Sequence, residues 1–211
     1  MGIGDFRIQY ETQGLDRADL LDDPVEQLRL WYAQAEQAGC TEPNAMTLST
    51  VGADGGPDSR VVLARGIDAH GITFFTNRES AKGREIAGDP RVSVVFAWLE
   101  LHRQVRIRGT VTRADDAVSD AYFAGRPRAS RIGAWASPQS QPIADRQDLD
   151  RRIAEVEERF AGADVPRPGH WGGFVVSIDR VEFWQGRPSR LHDRFVYERA
   201  GSGWDVRRLA P

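Results

Sequence analysis

Short runs dense in β-branched and aromatic residues, broken by polar ones, dominate the middle of the chain. They are AMTLSTV (45–51), SRVVLAR (59–65), GITFFTN (71–77), RVSVVFAW (91–98) and QVRIRGTVTR (104–113). Each has the length and make-up of a strand. GADGGPD and GIDAHG carry the Gly, Pro and Asp of turns. Ahead of them, DDPVEQLRLWYAQAEQAG changes to a helical period, with Leu28, Trp31, Tyr32 and Ala35 on one stripe. Asp23 is its candidate N-cap, Pro24 its first helical residue and Gly39 its stop. SAKGREIAGDP reads as a short helix ending near Pro90. ADDAVSDAYFAGRP and DRQDLDRRIAEVEERFAG read as two more. GGFVVSIDRVEFWQG, RLHDRFVYER and GWDVRRLAP are three further strand candidates.

Seven or eight strands joined mostly by short turns do not make a Rossmann unit. The βα alternation is missing, and so is any G-x-G-x-x-G. An antiparallel barrel with peripheral helices fits better, because closure removes exposed edges from that many strands. The expected class is α+β, mainly β. No internal repeat, low-complexity linker or domain boundary is visible.

The segment RLHDRF (190–195) raises a question of charge. Read as strand, it places Arg190, His192 and Arg194 on one face and Leu191, Asp193 and Phe195 on the other. Three potential cations on one face repel each other unless something anionic lies against them.

The chain of 211 residues has 31 acidic and 28 basic residues, a net charge of −3. That leaves no basic field for nucleic acid. No apolar run is long enough to span a membrane. The N-terminus has neither an apolar signal region nor a myristoylation pattern, since position 6 is Phe6. The lone Cys40 argues against a disulfide framework and for a reducing cytoplasm. His70, His102, His170 and His192 lack metal-ligand spacing, so no metal is expected. Of the 28 basic residues 27 are arginine, Lys82 being the one lysine. SRVVLAR, LHRQVRIRG, RPRASR and RPSRLHDR concentrate arginines among aromatic and aliphatic residues. Guanidinium forks match phosphate or carboxylate, so a small anionic ligand is expected.

RVVLAR, FFTNRESAKGREI, DPRVSVVFAW, RQVRIRG, YFAGRPRASRIGAWASPQS, WGGFVV, EFWQGRPSRLHDRFVYER and RRLAP occur in the order seen in the pyridoxamine 5′-phosphate oxidase family. The chain resembles that family from about Phe6 to Pro211. The resemblance implies a single FMN-binding split-barrel domain over residues 1–211, with 1–20 a partly mobile N-terminal segment. It implies a homodimer with FMN at the interface. It also implies oxidation of pyridoxine or pyridoxamine 5′-phosphate to pyridoxal 5′-phosphate, with O2 as acceptor and H2O2 as by-product.

Residue by residue, it implies that Arg60, Phe75, Thr76, Ser80 and Lys82 meet FMN, with Val61, Val62 and Leu63 passing the ring as backbone. Gln104, Trp184 and Arg194 are further flavin contacts, and Gln139 and Ser140 reach FMN from the other subunit. Tyr122, Arg126 and Ser130 hold the substrate phosphate. Arg190 and His192 lie against the substrate ring as the catalytic pair. Arg7 and Tyr10 match an N-terminal segment that covers the site, and Arg65 stands on the substrate side in place of the family's usual lysine. Ala81 replaces an arginine common in relatives. Two rival readings are a flavin oxidase of phenazine biosynthesis on the same barrel and a non-catalytic flavin or pyridoxal phosphate carrier. Retention of Tyr122, Arg126 and Ser130 favours the B6 reading over the first. Turnover with oxygen consumption separates both oxidases from the second.

Overall fold

The computed structural model describes residues 2, 10 and 12–211. Arg7 lies outside them. The helix α1 (Pro24–Gln37) begins where the sequence places it: Asp23 accepts a hydrogen bond from the Val25 N–H at 2.7 Å, and Pro24 follows. Its Leu28, Trp31 and Ala35 are buried. The strands are β1 (Ala45–Val51), β2 (Pro57–Leu63), β3 (Gly66–Asp68), β4 (Gly71–Asn77), β5 (Arg91–Trp98), β6 (Arg103–Arg113), β7 (Trp171–Val176), β8 (Arg180–Gln185), β9 (Asp193–Ala200) and β10 (Gly203–Leu209). Four more helices are inserted: α2 (Ala81–Gly88), α3 (Asp116–Ala124), α4 (Arg128–Ala136) and α5 (Arg146–Arg159).

All the ladders are antiparallel. The main path runs β10-β9-β8-β6-β5-β1-β2, and β7, β4 and β3 branch from β6. The eleven-residue β6 makes the branch possible. Its first half pairs with β8 and its last three residues with β7. Gly109 sits at the switch, where a Cβ would run into the Ser177 carbonyl. The sheet curls around one large core that includes Leu48, Phe74, Phe96, Ile107, Val181 and Phe183. A second, small core of Ile132, Phe160 and Val165 joins α4 to α5. The curl does not close: β2 and β4 approach one another but share no hydrogen-bond ladder. Among the described residues, no helix is long and apolar enough to cross a membrane.

Several sequence expectations change. The turn segment GIDAHG contains β3, and the apolar run through VVSIDRVEF is two strands, because β6 changes partner there. RASRIGAWA forms α4. The largest change concerns RLHDRF. Pro188–Arg190 is a 3₁₀ turn, with Ser189 at φ 57° and Arg190 at φ 64°. The ladder resumes only at Asp193. Arg190 is therefore not on a strand face with Arg194. The Gly-Arg-Pro-Ser run determined this: Pro188 donates no N–H, and turn chemistry outweighs the β-rich flanks. Leu191, which alternation would put on one face with Phe195, is 68% exposed, whereas Phe195 is buried.

Stability should follow this corrected register. Phe195→Ala should cost about 3–5 kcal/mol, and Leu191→Ala should stay within about 0.5 kcal/mol. Urea unfolding of the two variants measures the difference.

Candidate active site

The unclosed seam opens into a cleft of about 640 Å³. Strand β2 supplies Arg60, Val61, Val62 and Leu63, β4 supplies Phe75, Thr76 and Asn77, and α2 supplies Lys82. Tyr122, Arg126, Ser130, Gln139 and Trp171 come from the helical layer and β7, and Arg65 from the β2–β3 connection. Val61 is an apolar residue left 65% exposed on the cleft wall.

Four of the lining side chains are cationic, and no Asp or Glu lines the wall. They differ in how far their charge is balanced. Arg60 donates to Asp58 at 2.6 Å and to Glu85 at 2.9 Å, and also bonds Thr50. Lys82 is buried, and no described carboxylate accepts from it. Its Nζ has only neutral neighbours at long range: Gln139 Oε1 at 3.4 Å, and Thr76 Oγ1 and Ser80 Oγ at 3.5 Å. Burial, then the Arg60 charge, pushes the Lys82 pKa down, with Glu85 and Asp58 opposing. Ser80 is the N-cap of α2 and accepts from the Gly83 N–H at 3.3 Å. Lys82 thus stands in the first turn of a helix, at its positive end.

A second group of cations lies across an aromatic stack. The Phe75 and Tyr122 rings stack at 3.9 Å and 4°, and Trp171 extends the stack. Arg126 lies over Trp171 at 4.7 Å and Arg65 over Tyr122 at 5.9 Å. Arg126 Nη1 is buried with no hydrogen-bond partner among the described residues. Burial lowers the Arg126 pKa. An unsatisfied buried donor on a charged group costs about 1–3 kcal/mol or more. A ligand oxygen would remove that cost.

The remaining expected residues form a separate cluster. Register aligns Gln104, Trp184 and Arg194 across β6, β8 and β9, so they share the sheet's outer face. His192 lies 4.6 Å from Trp184, ring centre to ring centre, and Tyr10 lies 5.8 Å from His192. Arg194 donates twice to Glu182, at 2.8 and 2.9 Å, and to the Ala210 carbonyl at 2.9 Å. Glu182 is only 4% exposed and also pairs with Arg106. None of this cluster lines the cleft. Arg190 and Ser140 are exposed and stand outside the cleft too.

The family model described as Pyridoxamine 5′-phosphate oxidase matches residues 33–160. The one described as Pyridoxine 5′-phosphate oxidase C-terminal dimerisation region matches residues 171–211. The chain belongs to the pyridoxamine 5′-phosphate oxidase family. It is 52% identical over 209 residues to the pyridoxine/pyridoxamine 5′-phosphate oxidase of Thermosynechococcus vestitus, covering 99% of each chain. It is 49% identical over 210 residues to that of Cupriavidus metallidurans, again covering 99% of each. Among solved structures it resembles PhzG from Burkholderia lata in complex with tetrahydrophenazine-1-carboxylic acid, with a TM-score of 0.88 and 32% identity over 94% of this chain and 98% of that one. A pyridoxamine 5′-phosphate oxidase-related, FMN-binding protein from Nostoc punctiforme shares the fold at a TM-score of 0.70 and 17% identity, over 91% of this chain and all of that one. The open antiparallel barrel is thus the split barrel of this family, a family of oxidoreductases.

Twelve of the residues expected from the family resemblance meet in one cleft. Gln139, expected to reach FMN from the other subunit, also lines the cleft of its own chain, where it accepts from Thr76 Oγ1 at 3.1 Å. Sequence reasoning missed the roles of Trp171, Asn77, Glu85 and Glu182. Trp171 opens WGGFVV and could have been found as an aromatic at a strand start. Glu182 carries no signal beyond a carboxylate inside an apolar run. Among the described residues, no group of three or more His, Cys, Asp or Glu could hold a metal ion.

His192 Nδ1 accepts the Arg187 backbone N–H at 3.1 Å. A backbone N–H can only donate, so the neutral ring carries its proton on Nε2. Burial, then the charge of Arg190, lowers the His192 pKa, and Asp193 opposes them. The ring should therefore be neutral at pH 7 and protonate only below the ordinary histidine value. Nitrogen-15 NMR of histidine-labelled protein should show Nε2 protonated and Nδ1 bare at neutral pH. On acidification both nitrogens become donors, and the Arg187 amide resonance should shift as its acceptor is lost.

Proposed function

We propose that the cleft binds FMN and that the protein oxidises pyridoxine or pyridoxamine 5′-phosphate to pyridoxal 5′-phosphate, with O2 as acceptor. One observation carries this reading: an acidic chain gathers four cations in one cleft with no carboxylate on the wall, around a buried ammonium and a buried guanidinium N–H that both lack a counter-ion. The donor set fits two ligands that each carry a phosphate, the FMN and the vitamer.

Lys82, with Ser80 and Thr76 beside it at the start of α2, would hold the FMN phosphate. Arg60 forms the wall there, but Glu85 and Asp58 already occupy much of its fork. Tyr122, Arg126 and Ser130 would take the vitamer phosphate, with Arg65 on the same side. Val61, Val62 and Leu63 offer an apolar edge to a flat ring. FMN, when bound, supplies the two-electron acceptor and passes the electrons to oxygen. The chain's part is to place the vitamer and exclude water. His192, neutral, would donate from Nε2–H to a polar group of the vitamer rather than act as a base. Residues 171–211 match a dimerisation region, and they contain Trp184, Arg190, His192 and Arg194. In this reading a second copy brings that cluster, with Gln104, against the cleft. Neither half is a complete site alone.

The similarity to PhzG supports a second reading, an oxidase acting on an unphosphorylated phenazine-type substrate. The paired Arg126 and Tyr122 favour the phosphorylated vitamer. Protein incubated with FMN and pyridoxine 5′-phosphate should form pyridoxal 5′-phosphate and consume oxygen. No product with a flavin-loaded protein would overturn the assignment.

Arg126→Ala should raise KM for pyridoxine 5′-phosphate about tenfold to a hundredfold, as expected for the loss of about 1.5–3 kcal/mol, and leave FMN retention unchanged. An unchanged KM would favour the phenazine-type reading. Lys82→Met should weaken FMN binding, measured by quenching of flavin fluorescence. In the wild type that binding should fall as pH rises through the depressed Lys82 pKa, below the ordinary lysine range, because only the ammonium attracts phosphate. Lys82→Met should abolish this alkaline limb.

A further inference from the structure

Asp193, between His192 and Arg194, has no role in the reading above. It opens β9 with its side chain 17% exposed. Its Oδ2 accepts the Leu15 backbone N–H at 3.0 Å, and its Oδ1 accepts from Arg208 at 2.6 Å. Arg187 Nε lies 3.6 Å from Oδ2. The same two arginines hold the N-terminal segment a second time. Arg187 donates to the Gln13 carbonyl at 2.9 Å, and Arg208 donates to the Leu15 carbonyl at 3.3 Å and pairs with Asp16. Thr12 Oγ1 donates to the Gly186 carbonyl. Residues 12–16 are thus strapped across the turn that carries His192, and one carboxylate joins three distant parts of the chain.

Two glycines make room for the strap. Gly14 has φ +89°, and a Cβ there would meet the Arg187 guanidinium. A Cβ on Gly186 would meet the Tyr10 ring and the His102 Cβ. The strap leads to Tyr10, whose ring lies 4.3 Å from His102, 5.8 Å from His192 and 6.1 Å from Trp184.

We propose that Asp193 is a positioning residue: its carboxylate latches residues 12–16 to the 186–193 turn and so sets the Tyr10 ring against His192 and Trp184. Asp193 touches none of these rings. It acts through the Leu15 amide, Arg187 and Arg208. The Arg208 guanidinium and the Leu15 amide form charge-assisted bonds to one partly buried carboxylate, with the Arg187 charge 3.6 Å away, and such a group is stronger than an exposed pair. Leu15 is the strap's buried apolar side chain, so the polar latch must hold the segment on either side of it. The effect on catalysis rests on the vitamer reading above; the latch itself does not.

Asp193→Asn and Arg208→Gln, each in the flavin-loaded full chain, test the proposal. Both should speed tryptic cleavage after Arg17 about tenfold, because a loosened strap opens that site. Asp193→Asn should raise KM for pyridoxine 5′-phosphate about fivefold to tenfold and leave FMN affinity within about twofold. In a Tyr10→Ala background the same change, assayed well above the ordinary histidine pKa so that His192 is neutral with or without the Asp193 charge, should alter KM less than about twofold, since its positional effect runs through Tyr10. Full additivity of Asp193→Asn and Tyr10→Ala on KM would overturn the proposal, and so would cleavage rates equal to wild type in both latch variants. If the wild type shows no oxidase turnover, the vitamer reading fails, and the proteolysis comparison still decides the latch.

Discussion

A buried ammonium without a carboxylate partner is unstable unless something anionic comes to it. Lys82 is in that position, and the elements around it hold it there. Gly83 lets α2 press onto the Arg78 carbonyl, where a Cβ would collide. Ser80 caps the helix, and Glu85 turns to Arg60 rather than to Lys82. The fold therefore leaves one cation desolvated and one guanidinium N–H of Arg126 unsatisfied on the same cleft wall. Ligand oxygens would remove both costs, so binding in this cleft would be linked to stability of the fold.

The open seam between β2 and β4 makes such a cleft possible. A barrel with a continuous ladder there would have filled the space with paired backbone. Instead β6 spends its free edge on two partners, β8 and then β7, and the sheet curls without closing. The same branching turns the outer face of β6, β8 and β9 away from the cleft. Gln104, Trp184 and Arg194 lie on that face, with buried Glu182, two residues from Trp184 on the same face, fixing Arg194. Removing one partner of such a buried pair costs about 3–5 kcal/mol, so Arg194 keeps its aim. In the proposed reading, two separate half-sites of this kind are what a symmetric pair of chains would join.

Much of this was legible in the chain. The bounds of β1, β4 and β5 follow from their composition and alternation, and those of α1 from Asp23, Pro24 and Gly39. Arginine-rich segments among aromatics indicated an anion site, and the ordered family motifs indicated which residues would meet there. Errors arose where two local signals conflicted. RLHDRF has strand-like flanks, but Gly186 and Pro188 impose a turn, which moved Arg190 off the strand and left Leu191 exposed. VVSIDRVEF looks continuous because its break comes from β6 and not from its own residues.

The sequence by itself determined the kinds of element, the charge chemistry of the cleft and the family, because periodicity, caps and side-chain type are local properties. Only the tertiary structure decided that the barrel stays open, that Gln139 lines the cleft of its own chain, and that Asp193 joins residues 12–16 to β10. The Thr76–Gln139 and Leu15–Asp193 contacts join residues 63 and 178 positions apart, and no local pattern encodes a distance across the sheet. Whether a buried charge finds its partner in the fold or must wait for a ligand is likewise settled only when every neighbouring carboxylate has been placed.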